Sequence, residues 1–396
     1  MNPSNRINEL SDLSGGAWEV FEKSKELINS GVDVIELSIG EHDVKTDHRI
    51  LNAMNRSALD GNTGYAPVKG NDTLRKEIAE RVSNQTKVKT SFKNVIVTPG
   101  GQAALFAAHM AVCDHGDIAL YCDPYYATYP GTIKGVNAIP KTVKARAEDN
   151  FQLSESAIDA AGSNAKSLLI NSPNNPTGVI YTRQTLEGIS AACKKNNLWL
   201  ISDEVYNTQV WNSKHISPRS LDGMEERTIV IGSMSKSHAM TGSRIGWAIA
   251  PEELIEHMIN LATHTTYGVP GFIQDAALYA LRLGKKIEQE ISEPFRRRQK
   301  IATQILSTQN ILKLVPPSGA MYLMLDVRDT GLNGISFSKS LLEEQFIAVM
   351  PGESFGESAS GHIRIAMTVK DEMFSHALNK IIAFSKRKKN KKDSLR

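Results

Sequence analysis

The chain has 396 residues, of which 41% are hydrophobic and 22% charged, and its formal net charge is +3. This composition is typical of globular proteins, and the length allows two or three domains. The basic excess is local, because residues 386–396 contain seven Lys or Arg and one Asp. We interpret this segment as a frayed, solvated tail. The remaining chain has no positive excess, so we expect no nucleic-acid partner.

The sequence also restricts the location of the protein. No run approaches ~18 consecutive apolar residues, and the first 22 residues lack the pattern of a signal peptide, so we expect no membrane association and no secretion. Cys113, Cys122 and Cys193 lie in apolar sequence and do not have the spacing of metal ligands. We therefore expect free thiols, no bound metal and a cytoplasmic location.

The first ninety residues contain mainly helical patterns. An amphipathic pattern is stopped at Gly31, and a short apolar run ends at Gly40. A glycine-rich link, which contains Tyr65, connects two further helical patterns. The predicted elements are helices at 17–28, 48–59 and 71–84 and a strand at 34–39.

From Val95 onward, apolar runs alternate with helical patterns. The runs are apolar throughout, which predicts a parallel sheet covered by helices on both faces. We assign residues 45–290 to one large α/β domain. Its predicted strands are 95–97, 118–122, 167–170, 198–202, 228–231 and 247–250, and its helices include 101–112 and 183–195.

The composition changes near residue 290, where a charged helical pattern begins. The break Pro316-Pro317-Ser318-Gly319 follows it, and strands and helices then alternate. We predict a smaller α+β domain, formed by residues 291–396 together with 1–44. Its predicted elements are helices at 294–308, 335–344 and 372–385 and strands at 321–327 and 363–367.

Three polar motifs directly follow predicted strands of the large domain. They are residues 171–178, Asp203-Glu204-Val205-Tyr206, and the segment 233–244, which contains Lys236. Because parallel strands end at the same edge of a sheet, we expect the three motifs to lie together. A lysine held between apolar walls can lose its proton near neutral pH and react with a carbonyl group.

A fourth segment belongs to the same edge. Gly100-Gly101-Gln102 lies between a strand and a helix, where free backbone amides can bind a phosphate. The G-x-G-x-x-G spacing of dinucleotide sites is absent.

In this order, the motifs resemble those of the class I/II aminotransferases, the fold-type-I enzymes that depend on pyridoxal 5'-phosphate. The resemblance extends from Gly40 to Arg364. Its most specific parts are Asn-Asn-Pro-Thr-Gly at 174–178, Ser-Asp-Glu-Val-Tyr at 202–206 and Ser-x-Ser-Lys at 233–236. It implies a homodimer that moves an amino group from an L-α-amino acid to a 2-oxo acid by a ping-pong mechanism.

The resemblance also implies a role for each motif residue. Lys236 is expected to bind the cofactor covalently and to transfer a proton, and Asp203 to pair with the pyridine nitrogen. The phenolic oxygen of the cofactor is expected to contact Asn175 and Tyr206, and its ring face Tyr126. The phosphate is expected to contact Gly101, Gln102, Ser233, Ser235, Arg244 and Tyr65 of a neighbouring subunit. The substrate is expected to contact Arg364, Gly40 and Asn175.

One departure from the family pattern concerns the pocket wall. Many relatives have Glu-Pro-Asp after the early glycine, whereas this chain has Glu41-His42-Asp43. Three other stretches, at 235–242, 267–277 and 202–218, resemble the bacterial arginine–pyruvate transaminase group most. We therefore predict a basic, arginine-like donor and an acceptor such as pyruvate. Glu41 or Asp43 could then face the guanidinium, or either could equally cap the following helix.

Three alternatives remain open. An aspartate aminotransferase acting with 2-oxoglutarate would need a second cation for the distal carboxylate, and no motif identifies one. A C–S lyase on the same fold is disfavoured by the transaminase-like forms at 174–178 and 203–206. A transcription regulator would need a helix-turn-helix domain ahead of Gly40, and we see no room for one.

Overall fold

The computed structural model describes residues 1–10 and 17–394 of the chain. Within this part, the α-helices are α1 Asn5–Leu10, α2 Ala17–Asn29, α3 His48–Leu59, α4 Asp72–Thr86, α5 Gly100–Val112, α6 Tyr129–Gly135, α7 Glu155–Gly162, α8 Arg183–Lys195, α9 Met234–Ser237, α10 Glu252–Thr263, α11 Gly271–Arg282, α12 Lys285–Leu306, α13 Gly334–Gln345 and α14 Asp371–Asp393. The strands are β1 Ile35–Glu36, β2 Val95–Thr98, β3 Ile118–Asp123, β4 Ile139–Lys144, β5 Ala165–Asn171, β6 Trp199–Asp203, β7 Thr228–Ser233, β8 Gly246–Ile249, β9 Lys313–Leu314, β10 Tyr322–Asp326, β11 Ile347–Ala348, β12 Met350–Pro351 and β13 His362–Ala366.

The large sheet has the strand order β2-β8-β7-β6-β5-β3-β4. Strands β4, β3, β5, β6 and β7 are mutually parallel, and β8 is antiparallel to both of its neighbours. Both faces of the sheet are apolar, because Leu168 and Leu200 belong to one core cluster and Leu169 and Ile201 to another. The predicted α/β architecture with a mostly parallel sheet is confirmed.

Strand β4 was not predicted from the sequence. It forms one end of the sheet, and its side chains alternate between partly and fully exposed, with Val143 alone buried. Pro140 also lies within it. An edge strand of this kind tolerates proline and polar residues, so it lacks the continuous apolar run that identified its neighbours.

The smaller sheet is antiparallel and has the order β12-β13-β10-β9. Its central strand β13 pairs Arg364 with Met324 on one side and with Met350 on the other. The predicted N-terminal strand is shorter than expected: β1 has two residues and pairs in parallel with β11. The core beneath this sheet contains Phe295, Phe337, Phe374 and Phe384.

Helix α12 begins nine residues earlier than predicted, at Lys285, and Pro294 lies inside it. The predicted helix begins at Pro294, a residue that is usual in the first turn of a helix and unusual in its interior. The buried residues Ile287, Ile291 and Phe295 continue on one face through the proline, and this packing maintains the helix. The domain boundary that we propose near residue 290 therefore lies within α12.

The prediction of a frayed basic tail is wrong for residues 386–393. Helix α14 continues to Asp393, and Lys388 and Arg387 pair with Glu344 on α13. Lys and Arg are good helix formers, and their long side chains can reach a neighbouring carboxylate. Residues 395–396 lie outside the described residues.

The three cysteines are free and buried. Among the described helices, none combines the length and the apolar composition needed to cross a membrane.

Gly246 on β8 is enclosed by main chain. A Cβ at this position would lie 2.7 Å from the carbonyl oxygen of Gly232 and 2.9 Å from the amide nitrogen of Gly101. Main-chain atoms cannot move aside as a side chain can, so we expect Gly246→Ala to reduce the free energy of unfolding by about 1–3 kcal/mol. Urea unfolding measures this change. Gly242→Ala is the control, because a Cβ at Gly242 meets nothing within 4 Å; equal stability of the two variants would contradict the prediction.

Candidate active site

A cavity of about 410 Å³ lies where β5, β6 and β7 end, and Arg364 in the middle of β13 also lines it. In the sheet, Asn171 pairs with Asp203 and Asp203 with Ile231, so the three motifs that follow these strands meet at one edge. Every predicted site residue except Tyr65 lines the cavity: Gly40, Gly101, Gln102, Tyr126, Asn175, Asp203, Tyr206, Ser233, Ser235, Lys236, Arg244 and Arg364.

Tyr65 does not line this cavity. Its side chain is 94% exposed and packs edge-on against Tyr267, with ring centroids 5.3 Å apart. A contact of Tyr65 with a neighbouring subunit stays a prediction.

Lys236 projects into the cavity from the short helix α9. Ser233 caps this helix, because its hydroxyl accepts a hydrogen bond from the Ser235 amide at 3.1 Å. The Lys236 ammonium donates to the Gly40 carbonyl oxygen at 2.6 Å. Lys236 is half-buried, so its amine lies inside the cavity but remains accessible to a ligand.

Asp203 ends strand β6 and is only 4% exposed. Its carboxylate accepts hydrogen bonds from the Tyr129 hydroxyl at 2.7 Å and from the Val205 amide at 3.3 Å. Burial raises the pKa of the Asp203 carboxyl to about 6, although the Tyr129 hydrogen bond acts in the opposite direction. No described cation forms an ion pair with Asp203, so the carboxylate has the environment of a group that awaits a positive partner.

Anion-binding groups lie at one end of the cavity. Gly101 and Gln102 are at the beginning of α5, where backbone amides are free. Arg244 lies opposite: a Cβ at Gly100 would be 2.6 Å from its Nη2, so glycine leaves the space for the guanidinium. The Gln102 side chain is already hydrogen-bonded to Thr132 and Thr128, which leaves its amide as the available donor.

Arg364 lies at the other end, on β13, and is 5% exposed. Its guanidinium stacks between the rings of Tyr322 and Phe355, at 4.6 and 4.5 Å from their centroids. It donates to Asn175 Oδ1 at 2.9 Å and to the Ser38 carbonyl oxygen, whereas its Nε has no partner among the described residues. Among the described residues, no carboxylate forms an ion pair with Arg364, and Glu36 acts on it only through its charge, so a buried cation is available for an anionic ligand.

Gly40 and Tyr206 surround Tyr322. The hydroxyls of Tyr206 and Tyr322 are 3.0 Å apart, and a Cβ at Gly40 would lie 1.8 Å from the Tyr322 hydroxyl oxygen. Tyr322 was not predicted as a site residue, because it follows no motif and reaches the cavity from the smaller sheet. Further lining residues that were not predicted include Trp18, Phe21, Leu105, Met350 and Phe355.

The three side chains of the segment 41–43 have different surroundings. Glu41 lines the cavity, and its carboxylate has one long contact, 3.4 Å from the Thr241 hydroxyl. The His42 ring packs edge-on against Phe295, and burial and the charge of Lys236 lower its pKa to about 3, so it is neutral. Asp43 forms a bidentate ion pair with Arg298. The expectation that Asp43 could face a substrate is therefore wrong, and Glu41 remains.

The residues fit pyridoxal 5'-phosphate. The buried, uncompensated Asp203 carboxylate suits a protonated pyridine nitrogen, and the amides and Arg244 suit the phosphate. Lys236 supplies an amine for the aldehyde. Together, the parallel sheet, the smaller antiparallel sheet and this cavity define a pyridoxal-phosphate-dependent transferase.

Comparison with known proteins gives the family. The model described as Aminotransferase class I and II matches residues 32–381. The chain is 35% identical to the arginine–pyruvate transaminase of Pseudomonas aeruginosa, over 96% of this chain and 97% of that one, and 32% identical to the aspartate aminotransferase of Bacillus subtilis, over 97% and 99%. A solved structure of Thermotoga maritima aspartate aminotransferase superposes with a TM-score of 0.91 at 33% identity and covers 96% of this chain and 99% of its own. The chain belongs to the class I and II aminotransferases, which use pyridoxal 5'-phosphate.

Asp203 should make the stability of the cofactor-free protein depend on pH. Its folded-state pKa of about 6 lies above the ordinary value of 3.8, so between these pH values the carboxyl is protonated more in the folded than in the unfolded protein. The free energy of unfolding therefore falls as the pH rises from 3.8 to about 6. Burial also raises the pKa of Asp123 to about 6, so Asp123 contributes to the same fall. We therefore expect Asp203→Asn to reduce the fall without abolishing it, and to stabilise the cofactor-free protein at pH 7 by about 2 kcal/mol. Urea unfolding of both proteins across this range measures the difference, and two parallel curves would contradict it.

Proposed function

We propose that this aminotransferase moves the amino group of a basic, arginine-like L-α-amino acid to a 2-oxo acid such as pyruvate. The observation that carries the choice of donor is Glu41. Among the described residues that line the cavity, the carboxylates are Asp203 and Glu41, and Asp203 is buried at the end of β6, where it accepts a hydrogen bond from Tyr129. Glu41 is exposed toward the cavity and has no cationic partner in the described chain.

When bound, pyridoxal 5'-phosphate supplies a ring that accepts the electron pair left at the substrate Cα. Asp203 would pair with the protonated pyridine nitrogen, and Asn175 and Tyr206 would hold the phenolic oxygen. Tyr126 would pack against the ring. The phosphate would be held by Gly101, Gln102, Ser233, Ser235 and Arg244.

Lys236 has two tasks in this proposal. Its amine would hold the cofactor, and as a free amine it would take the proton from the substrate Cα and hold it for return during the transfer. Its hydrogen bond to the Gly40 carbonyl keeps the amine near the substrate end of the cavity. The same side chains act in reverse on the 2-oxo acid, which gives a ping-pong reaction.

Arg364 binds the α-carboxylate of either substrate. Its planar guanidinium can bind both carboxylate oxygens, and its unpartnered Nε shows that part of this capacity is unused. The rings of Tyr322 and Phe355 hold the guanidinium plane in place. Gly40 allows close approach of the substrate, because no side chain separates it from Tyr322.

The donor side chain then extends toward Glu41, Trp18 and Phe21. The aromatic rings of Trp18 and Phe21 lie edge-on, 6.0 Å apart, at the cavity wall. Such rings bind the methylene groups and the guanidinium plane of an arginine side chain, and the Glu41 carboxylate neutralises its charge. The arginine–pyruvate transaminase among the relatives supports the same donor and acceptor.

Aspartate is the second candidate donor, because several relatives are aspartate aminotransferases. Its distal carboxylate would need a cation of its own. Within the described lining, the cations are Lys236, Arg244 and Arg364, and each has a role in the reaction proposed above. Glu41 would repel a distal carboxylate, which favours the basic donor.

We propose a homodimer as the functional unit, because the 94%-exposed Tyr65 and the half-exposed Tyr267 form an aromatic surface that a second copy could cover.

Single-turnover spectroscopy of the cofactor-loaded protein tests the donor. We expect arginine to abolish the near-visible cofactor absorbance much faster than aspartate at equal concentration, with Lys236→Ala as a control that gives no turnover. Faster reaction with aspartate would contradict the basic-donor proposal. Release of pyruvate and ammonia from cystathionine without an acceptor would indicate a C–S lyase.

The same assay with Glu41→Gln tests the specificity residue. Loss of the carboxylate should reduce kcat/KM for arginine about tenfold, the equivalent of ~1.4 kcal/mol, while kcat/KM for alanine stays unchanged. Glu22→Gln is the matched control, since Glu22 is exposed on α2 and does not line the cavity. Equal losses with arginine and alanine would show that Glu41 acts on the fold instead of the donor side chain.

A further inference from the structure

Arg298, buried on α12, connects two segments that are distant in the chain, one at Asp43 and the other at 367–371. Its side chain is 4% exposed. The two terminal nitrogens donate to the Asp43 carboxylate at 2.9 and 2.6 Å, Nη1 also donates to the Met367 carbonyl oxygen at 2.8 Å, and Nε donates to the Asp371 carboxylate at 3.0 Å. Four hydrogen bonds from one planar group fix the relative positions of these segments.

These segments lead to both ends of the substrate site. Asp43 is two residues after Glu41, and Met367 is three residues after Arg364. Asp371 begins helix α14, which packs against α12. An extended chain covers about 3.3 Å per residue. The points that Arg298 holds, Asp43 and Met367, are therefore at most about 7 Å along the chain from Glu41 and about 10 Å from Arg364.

The charges at this junction balance. Asp43 and Asp371 face Arg298 and Arg297, and Arg297 also pairs with Asp371. Arg297 is 49% exposed, however, and its hydrogen bonds go to Asp371, whereas it interacts with Asp43 only through its charge. Both arginines thus bond to Asp371. Arg298 also forms hydrogen bonds with Asp43, near Glu41, and with Met367, near Arg364.

We propose that Arg298 is a positioning residue that sets the distance between Arg364 and Glu41, and thereby the length of the donor side chain that the site accepts. This inference rests on the proposed basic donor. Arg298 does not line the cavity, so its effect on a ligand passes through the two segments that it holds.

The test compares a ligand that spans both ends with one that contacts only Arg364. The first is 5-guanidinopentanoate, which is arginine without its amino group, and the second is pentanoate; neither can be transaminated. Their inhibition constants are measured on the cofactor-loaded wild type and on Arg298→Lys, Asp43→Asn and Arg297→Lys. Lysine keeps the charge of Arg298 but cannot bond to Asp43, Met367 and Asp371 together.

We expect the inhibition constant of 5-guanidinopentanoate to rise about tenfold in Arg298→Lys and Asp43→Asn, because small displacements of a positioned group have large effects on binding. That of pentanoate should rise no more than about threefold, and neither should change in Arg297→Lys. The Asp43→Asn variant keeps the side-chain shape, so it serves if Arg298→Lys folds poorly. Thermal unfolding of each variant separates lost stability from lost spacing.

Two results would overturn the positioning role. One is an equal rise for both ligands in Arg298→Lys and Asp43→Asn, and the other is no difference from Arg297→Lys. If wild type does not prefer 5-guanidinopentanoate to pentanoate, the basic donor is wrong. The length-setting role of Arg298 then falls with the basic donor. A wild-type preference for 5-guanidinopentanoate that stays unchanged in Arg298→Lys and Asp43→Asn would instead reject the role of Arg298 and leave the basic donor in place.

Discussion

The site depends on a carboxylate buried at the end of a sheet strand. Asp203 is 4% exposed and receives hydrogen bonds from a tyrosine hydroxyl and a backbone amide. Removing a carboxylate from water is costly unless a positive group compensates it, and burial accordingly raises its pKa to about 6. The proposed pairing with a protonated pyridine nitrogen supplies the missing charge from a ligand. The parallel pairing of β5, β6 and β7 places Lys236 and Asn175 around the same point.

Arg364 presents the complementary condition at the substrate end. It is a buried cation without a carboxylate partner, held between two aromatic rings. Asp203 and Arg364 are thus two opposite charges that the described chain leaves without an ionic partner, and each suits one of the molecules that the reaction brings together. Binding of cofactor and substrate would satisfy both charges. The unpaired groups therefore favour ligand binding at the expense of the stability of the empty protein.

The sequence predicted the parts of the site that lie next to a strand. Asp203 directly ends β6, and the Lys236 segment directly follows β7, so the parallel sheet alone brings them together. The resemblance to a known family then supplied Arg364 and the role of each residue. The first kind of prediction uses information that is local in the chain, and the second uses motifs that the chain shares with a known family.

Other features depend on packing between distant segments and could not be predicted in this way. Asp43 and Glu41 look equivalent in sequence, but a partner 255 residues away occupies Asp43. Trp18 and Tyr322 reach the cavity from elements that carry no motif. The early start of α12 and the helical end of α14 follow from the buried face around Phe295 and from the contacts of Glu344, neither of which is visible in a local pattern.

The most direct measurement of the central claim compares the binding of pyridoxal 5'-phosphate with that of its deaza analogue, in which carbon replaces the pyridine nitrogen. Calorimetric titration of the cofactor-free protein gives both affinities for wild type and for Asp203→Asn. The account predicts that wild type binds pyridoxal 5'-phosphate at least about tenfold more tightly than the analogue and that Asp203→Asn loses this preference, as expected for a charge pair in a buried site. The same preference in both proteins would contradict the pairing of Asp203 with the pyridine nitrogen.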